Sequence, residues 1–379
     1  MDVVVVGAGI FGAWTALSLA QAGHTVVLLD REGAGNERSS SAGESRIIRS
    51  AYGADGVYTE MARRSLRLWM SLLGEEKRSD LFRNTGVLWI ANAAEQGVSE
   101  ARIIFERLGI AHEWLEANAI AKRYPQFSIA ADTVALFEPE AGALLAEHCI
   151  HAVMAAALRA GVSYETVQVD PPTLNAPRLR SVQTSDGRQF SADHFVFACG
   201  SWLPKLFPLL AKVIRPTRQD LFFFTVPEPA DAYRHGNMPI WIDQTEPKLA
   251  YGFPDLGNGV KVGFHQLGPD FDPDQARVGS TSEGTMEAGD YLARLLPGMR
   301  GAQIRSTHVC HYENTPNGDF LIDLHPGTEN VWLVGGGSGH GFKHGPAIAE
   351  YVTDALSGAS FREPRFSLAA KQAASGRVL

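Results

Sequence analysis

Cysteine is scarce in this chain: Cys149, Cys199 and Cys310 are the only three in 379 residues. A set so sparse, odd in number and widely spaced builds neither a disulfide framework nor a zinc cluster, and a reducing compartment is the expectation. Long apolar runs are missing as well. No stretch approaches the roughly 18 residues that a membrane span needs, and the start lacks the basic, then apolar pattern of a signal peptide. There is no basic excess: Lys+Arg 34 against Asp+Glu 42 leaves a net charge of −8. Such a balance sets up no global field for nucleic acid or an anionic membrane. The 12 histidines show no metal-ligand spacing, so no metal is expected. No Gly-x-Ser-x-Gly elbow is present, and Arg377-Val378-Leu379 is not a peroxisomal tail. These absences point to a soluble cytoplasmic protein with no nucleic-acid or membrane partner. At roughly 150 residues per domain the length suits two domains with sizeable cores.

What is present begins at once. Val3 to Val6 is a β-branched run, the pattern of a strand buried on both faces. Gly7-Ala8-Gly9-Ile10-Phe11-Gly12 follows, then a predicted helix from Ala13 to Ala22, a stop at Gly23, and a second strand, His24 to Leu29, that ends at Asp30. In such a strand–turn–helix–strand unit Gly7 permits the tight turn, Gly9 lets the backbone approach a pyrophosphate, and Gly12 lets helix and strand pack closely. The helix N-terminus presents free N–H groups to the phosphates. Asp30 is placed to accept hydrogen bonds from a ribose, and its charge argues against a 2′-phosphate. The unit predicts dinucleotide binding and leaves FAD and NAD both open.

The chain then departs from a run of alternating strands and helices. Residues 36–53 form a long polar loop ending in Arg46 and Arg49, and a helical segment follows from Tyr58 to Leu73. His194 to Cys199 is an apolar strand running into Gly200, Ser201 and Trp202. Asn330 to Val334 is another, running into the glycine-rich turn Gly335 to Lys343 and a helix from Ala347 to Leu356 with Pro346 near its start. Between these pieces lie short strands at Leu221 to Val226, Pro239 to Asp243, Ala250 to Phe253 and Val260 to Phe264. The predicted fold is therefore α/β (α+β overall): a Rossmann-like nucleotide-binding domain, interleaved with a substrate domain built on an antiparallel sheet. The first is assigned residues 1–80, 138–212 and 318–379, the second 81–137 and 213–317.

Six pieces together carry a resemblance. They are Gly7-x-Gly-x-x-Gly12, Arg46-Ile-Ile-Arg49-x-Ala-Tyr-Gly53, Tyr251-Gly-Phe-Pro254, Lys261-Val-Gly-Phe-His265, Cys310-x-Tyr312 with Thr315-Pro316 and Phe320-x-Ile-Asp323, and Gly339-His-Gly-Phe-Lys343. In this order and approximate spacing the chain resembles the D-amino-acid oxidase superfamily of FAD-dependent oxidoreductases. Within it, the likeness is to the monomeric sarcosine oxidase and N-methyltryptophan oxidase group, nearly end to end. The resemblance decides for FAD. It implies oxidation of the C–N bond of a secondary, N-alkyl or cyclic amino acid to an imine, hydrolysed to amine and carbonyl, with dioxygen reduced to hydrogen peroxide.

The same resemblance implies site residues. Arg49 and Lys343 match the positions that hold the substrate carboxylate. Tyr312 and His265 match cavity-lining positions and Tyr251 an aromatic wall. Lys261 matches the lysine that activates dioxygen beside the flavin, Arg46 a residue near the flavin, and Cys310 the cysteine that tethers it. With Gly7, Gly9, Gly12 and Asp30, the residues Ile10, Phe11, Arg31, Ser41, Gly200, Trp202, Gly337, Gly339, His340, Gly341 and Lys343 are placed against the cofactor. Where the relatives carry a histidine pair this chain has Ser41-Ala42, a difference that bears on flavin attachment. Cys149 and Cys199 are read as core residues, as are Leu221 to Phe224 and Trp241. The partners expected are an amino-acid-like small molecule and dioxygen, for a monomer or small homo-oligomer. A dehydrogenase passing electrons to another acceptor, and a flavin-bearing subunit with little turnover, are the competing readings.

Overall fold

The computed structural model describes residues 1–275, 279–358 and 363–373. Its first sheet has six strands, in the order Leu321–Leu324, Val331–Gly335, His194–Phe197, Asp2–Val6, Thr25–Asp30, Ser163–Thr166. All pairs are parallel except that between Leu321–Leu324 and Val331–Gly335. The valine run is central, as its near-complete burial requires. Its two neighbours, Thr25–Asp30 and His194–Phe197, lie on opposite sides and leave toward opposite ends of the sheet. Asp2–Val6 thus marks a topological switch point, where ligands bind at the carboxyl ends of the strands.

The first helix runs Ile10–Gln21 and starts three residues earlier than the sequence pattern suggests, with Gly9 as its N-cap. Gly9 offers no side-chain cap; Ser41 Oγ of the polar loop instead accepts the Ile10 N–H at 3.0 Å. A Cβ on Gly12 would collide with the Gly7 carbonyl oxygen, which is the close helix–turn approach expected of that glycine. This helix is buried on nearly all sides. It packs on Gly345–Leu356 and Ala146–Arg159, and Ser18 bonds Thr353 across the first contact at 2.9 Å.

A second sheet has eight strands, in the order Ile304–Asn314, Arg215–Phe224, Val260–His265, Leu249–Phe253, Ile240–Asp243, Val87–Asn92, Thr133–Glu138, Glu113–Glu116. It is antiparallel apart from one parallel pair, Ile240–Asp243 with Val87–Asn92. The strand expected at Leu221 begins at Arg215 because it pairs with Ile304–Asn314 along its whole length. Phe222, Phe224 and Trp241 are core residues with Tyr291 and Leu292 of the covering helix Ser282–Leu295. A small third sheet joins Ser45–Ile48, Gly142–Leu145 and Phe82–Arg83. It turns the polar loop after Asp30 into a wall in which Ser41, Ser45 and Ser50 are buried. Among the described residues no helix is long and apolar enough to cross a membrane.

Candidate active site

A cleft of about 1520 Å3, its open mouth included, runs along the carboxyl ends of the first sheet to the edge strand Ile304–Asn314 of the second. Gly7, Gly9, Ile10 and Phe11 form its floor, and Asp30 and Arg31 one end. Ser41 and Arg46 come from the polar loop, Gly200 and Trp202 from the turn after His194–Phe197. Cys310 and Tyr312 line the far end, with Gly337, Gly339 and Gly341 alongside.

Asp30 does more than face the cleft. Its carboxylate accepts the N–H of Ala8 at 2.7 Å, of Glu32 at 2.9 Å and of Gly33 at 2.8 Å. It therefore fixes the glycine turn as well as offering remaining lone pairs to a ligand. Burial raises its pKa, and the three N–H bonds oppose that rise. Arg31 lies 5.0 Å from the Trp202 ring and pairs with Asp274 at 3.2 Å; Trp202 Nε1 also donates to Asp274, at 2.8 Å. Lys205 binds both Asp272 and Asp274. A strap from the second sheet's connections is thereby fastened across the Asp30 end.

Cys310 and Tyr312 leave one face of the edge strand. Arg46 donates to the carbonyls of Ser40 at 3.0 Å, Ala42 at 2.5 Å and Ser45 at 3.0 Å, and the Nη2 that serves Ser40 and Ala42 also lies 3.6 Å from Cys310 Sγ. The guanidinium thus ties the polar loop to the thiol. On the opposite strand face, His311 bonds Ser201 Oγ at 2.6 Å and Ser40 Oγ at 3.2 Å, and Ser40 donates to Glu313 at 2.7 Å. All four line the cleft, and none was singled out in the sequence, where serine, histidine and glutamate scattered from 40 to 313 form no motif. Of the other cysteines, Cys149 is a buried core thiol pushed up to about 12 by desolvation. Cys199 borders the cleft but donates to the Val6 carbonyl at 3.3 Å, with its pKa raised by burial.

Beyond Tyr312 lies a second group of residues. The Arg49 guanidinium sits between two rings, 4.7 Å from Tyr52 and 4.9 Å from Trp89, and its buried Nη1 has no hydrogen-bond partner. Lys343 Nζ is 5.2 Å from the same Tyr52 ring and donates to the His340 carbonyl at 3.0 Å. Burial, then the nearby Arg49 charge, drive the Lys343 pKa well down. Glu138 is the carboxylate whose field reaches both cations. Its oxygens are taken by the N–H groups of Ser50 at 2.7 Å and Ala51 at 3.1 Å. Neither cation makes a salt bridge among the described residues. Tyr251 and Tyr312 are hydrogen-bonded to each other; burial raises both phenol pKa values, while the shared bond lowers that of Tyr251 and raises that of Tyr312. The His265 ring is 5.6 Å from that of Tyr312. Gly263 has no room for a Cβ, which would stand 2.6 Å from the Tyr251 ring.

Lys261 is 2% exposed, lies outside the cleft lining and has no carboxylate partner among the described residues. It donates to Ser45 Oγ at 2.5 Å and to the Ser45 carbonyl at 3.0 Å. Desolvation brings its pKa down to about 7, and the Arg46 charge acts in the same direction.

One expectation needs correcting. The side chain of His340 does not face the cleft: Nε2 is bonded to the Gly318 carbonyl at 3.1 Å and Nδ1 to Tyr52 at 3.2 Å, and the ring stacks on Phe320. The glycines on either side of it line the cleft, so the turn there directs the histidine inward. Lys343 likewise lies on the Arg49 side and not along the cleft lining, and Gly12 sits behind the cleft floor.

The family model described as FAD dependent oxidoreductase matches residues 2–355. The chain belongs to this FAD-dependent family. The monomeric sarcosine oxidase of Bacillus sp. (strain NS-129) is 32% identical over 355 residues, covering 92% of this chain and 91% of that protein. The N-methyl-L-tryptophan oxidase of Salmonella arizonae is 28% identical over 370 residues, covering 93% and 94%. Among solved structures, the L-proline dehydrogenase from P. horikoshii superposes with a TM-score of 0.85 over 99% of each chain. At 21% identity that likeness shows the fold.

The residues present fit FAD. The helix N-terminus at Gly9 to Phe11 lines the cleft as a site for a pyrophosphate, with the Ile10 N–H donated to Ser41 Oγ at 3.0 Å. Arg31 Nη2 is buried there without a hydrogen-bond partner, as a site built for a polar ligand leaves it. One continuous cleft is lined from Asp30 to Cys310. The cleft thus holds the residues that suit this cofactor, with Tyr312 in its lining.

Proposed function

We propose that the protein oxidises the C–N bond of a secondary amino acid, N-alkyl or cyclic, with dioxygen as the electron acceptor. The observation that carries this reading is the pair Arg49 and Lys343. A buried lysine and a half-buried arginine share one aromatic ring, lack a carboxylate partner among the described residues, and leave the buried Arg49 Nη1 unpartnered. A substrate carboxylate supplies the missing charge and the missing acceptor. The same cations favour the neutral form of the substrate amine, the form that can be oxidised. Tyr251 and Tyr312 wall the substrate beside the cleft and orient it.

FAD bound in the cleft supplies the two-electron acceptor for the C–N bond and the donor that converts dioxygen to hydrogen peroxide. The product imine is hydrolysed by water to an amine and a carbonyl compound. Lys261 holds a positive charge behind the cleft lining, within the field of Arg46 and Cys310, where it favours the superoxide-like charge that develops on oxygen. Cys310 Sγ, at the Tyr312 end of the cleft, is the atom through which the flavin is carried covalently.

An anaerobic screen of N-methyl and cyclic amino acids against the yellow protein tests the reading. Bleaching of the flavin by at least one of them is expected, with one peroxide formed per turnover once air is admitted. Bleaching without peroxide assigns another electron acceptor. No bleaching by any acid, but bleaching by an amine without a carboxylate, rejects the clamp. Arg49→Ala should raise KM for the acid substrate.

A further inference from the structure

Beneath the cation pair lies a hydrogen-bonded series that the reaction as described does not use. Tyr52 Oη is 2.8 Å from His344 Nε2 and 3.2 Å from His340 Nδ1, while His340 Nε2 is 3.1 Å from the Gly318 carbonyl. His344 Nδ1 is buried without a partner. Proton accounting allows one neutral arrangement. The Gly318 carbonyl only accepts, so the His340 proton is on Nε2 and its Nδ1 is a bare acceptor. Tyr52 therefore donates its single proton to His340. Its oxygen then accepts from His344, whose proton must be on Nε2. That leaves His344 Nδ1 as a lone pair with no hydrogen, the cheaper of the two ways to bury an unpartnered ring nitrogen. Burial and the Lys343 charge hold both imidazoles well below their usual pKa, in keeping with neutral rings.

The series fixes a ring that two like charges share. Arg49 and Lys343 repel each other, as the Arg49 contribution to the lowered Lys343 pKa shows. Each lies within cation–π range of Tyr52. Tyr58 stacks on Tyr52 at 5.2 Å, and the Tyr52 hydroxyl is held by its two imidazole partners. A ring held at both its face and its hydroxyl keeps the two cations at one spacing before substrate arrives.

We propose that Tyr52, oriented by His344 through its hydroxyl, is the positioning residue that makes Arg49 and Lys343 a preformed carboxylate site. The inference rests on the proposed function's assignment of those two cations to a carboxylate.

The test is a titration of the flavin-loaded protein with acetate, read from the flavin absorption spectrum, in wild type and in Tyr52→Leu, Tyr52→Phe, His344→Leu, His344→Gln and Arg49→Gln. Losing the ring should weaken acetate binding about tenfold, and losing only the hydroxyl series about threefold. His344→Gln keeps an N–H donor at a similar reach and should bind within about twofold of wild type, a rescue that a merely space-filling role would not produce. Equal loss in His344→Gln and His344→Leu overturns the orienting role. Wild-type affinity in both Tyr52 variants overturns the inference while Arg49→Gln still weakens binding. Wild-type affinity in Arg49→Gln overturns the carboxylate assignment itself. If Tyr52→Leu fails to load flavin, Tyr52→Phe and the His344 pair decide.

Discussion

Lys261 holds its ammonium 3.7 Å from the centroid of the Phe253 ring, and its hydrogen bonds go to Ser45 alone among the described residues. A buried lysine so placed is charged only up to a pKa of about 7. If its charge assists dioxygen, the rate of flavin reoxidation falls as pH rises through that pKa. The negative charge of reduced flavin moves the midpoint upward from there. Stopped-flow reoxidation of wild type and Lys261→Met checks this. The variant should reoxidise about 100-fold more slowly with little pH dependence. Equal slowing of flavin reduction would remove the role.

The same lysine makes a stability prediction. Unfolded, it holds its proton to about pH 10.4; folded, to about 7. Between those values the unfolded state binds the extra proton, so folding stability rises with pH across that window. Below it the full cost of burying the charge is present, on the order of 5 kcal/mol by the size of the shift. The stability difference between Lys261→Met and wild type should therefore shrink from pH 7 to pH 10 in denaturant titrations of the flavin-free protein. A constant difference would mean that Lys261 titrates normally.

Cys310 faces the cleft with Arg46 directed at its sulfur. Acid-denatured wild type should keep its yellow colour on the protein through desalting, and Cys310→Ser should release it. Complete release from wild type rejects the tether and leaves FAD bound by the cleft alone.

Gly263 is a site where one methyl group should act on catalysis without touching the cofactor. The added Cβ of Gly263→Ala would press the Tyr251 ring from 2.6 Å. Relief of that overlap costs about 1–3 kcal/mol and separates Tyr251 from Tyr312. KM for the amine should rise several-fold with flavin content unchanged. An unchanged KM would mean that Tyr251 does not bound the substrate.

Much of the cofactor side is legible in the sequence because it is local. The strand, glycine turn, helix and Asp30 are contiguous, and their spacing is dictated by one βαβ unit. The substrate side is harder to read. Tyr52 is legible only as part of the Arg46-to-Gly53 piece, with no role attached, and its partners His340 and His344 lie 288 and 292 residues further on. Trp89 and Glu138 belong to other strands again, and no spacing links them to Arg49. His340 was misplaced for a related reason. Residues alternate sides through a glycine turn, and the sequence does not say which of them turns toward the cleft and which toward Phe320. The helix boundary at Ile10 differed because apolar periodicity cannot register a helix whose first turn is glycine-flanked.

The sheet that frames the cleft is assembled from both ends of the chain. Asp2–Val6 pairs with His194–Phe197, which pairs in turn with Val331–Gly335, and Gly337, Gly339 and Gly341 close the wall. On the ribosome the cofactor cleft therefore stays incomplete until nearly the whole polypeptide has emerged. Flavin loading is a late event that follows synthesis, and chains cut short before Val331 should accumulate as colourless protein.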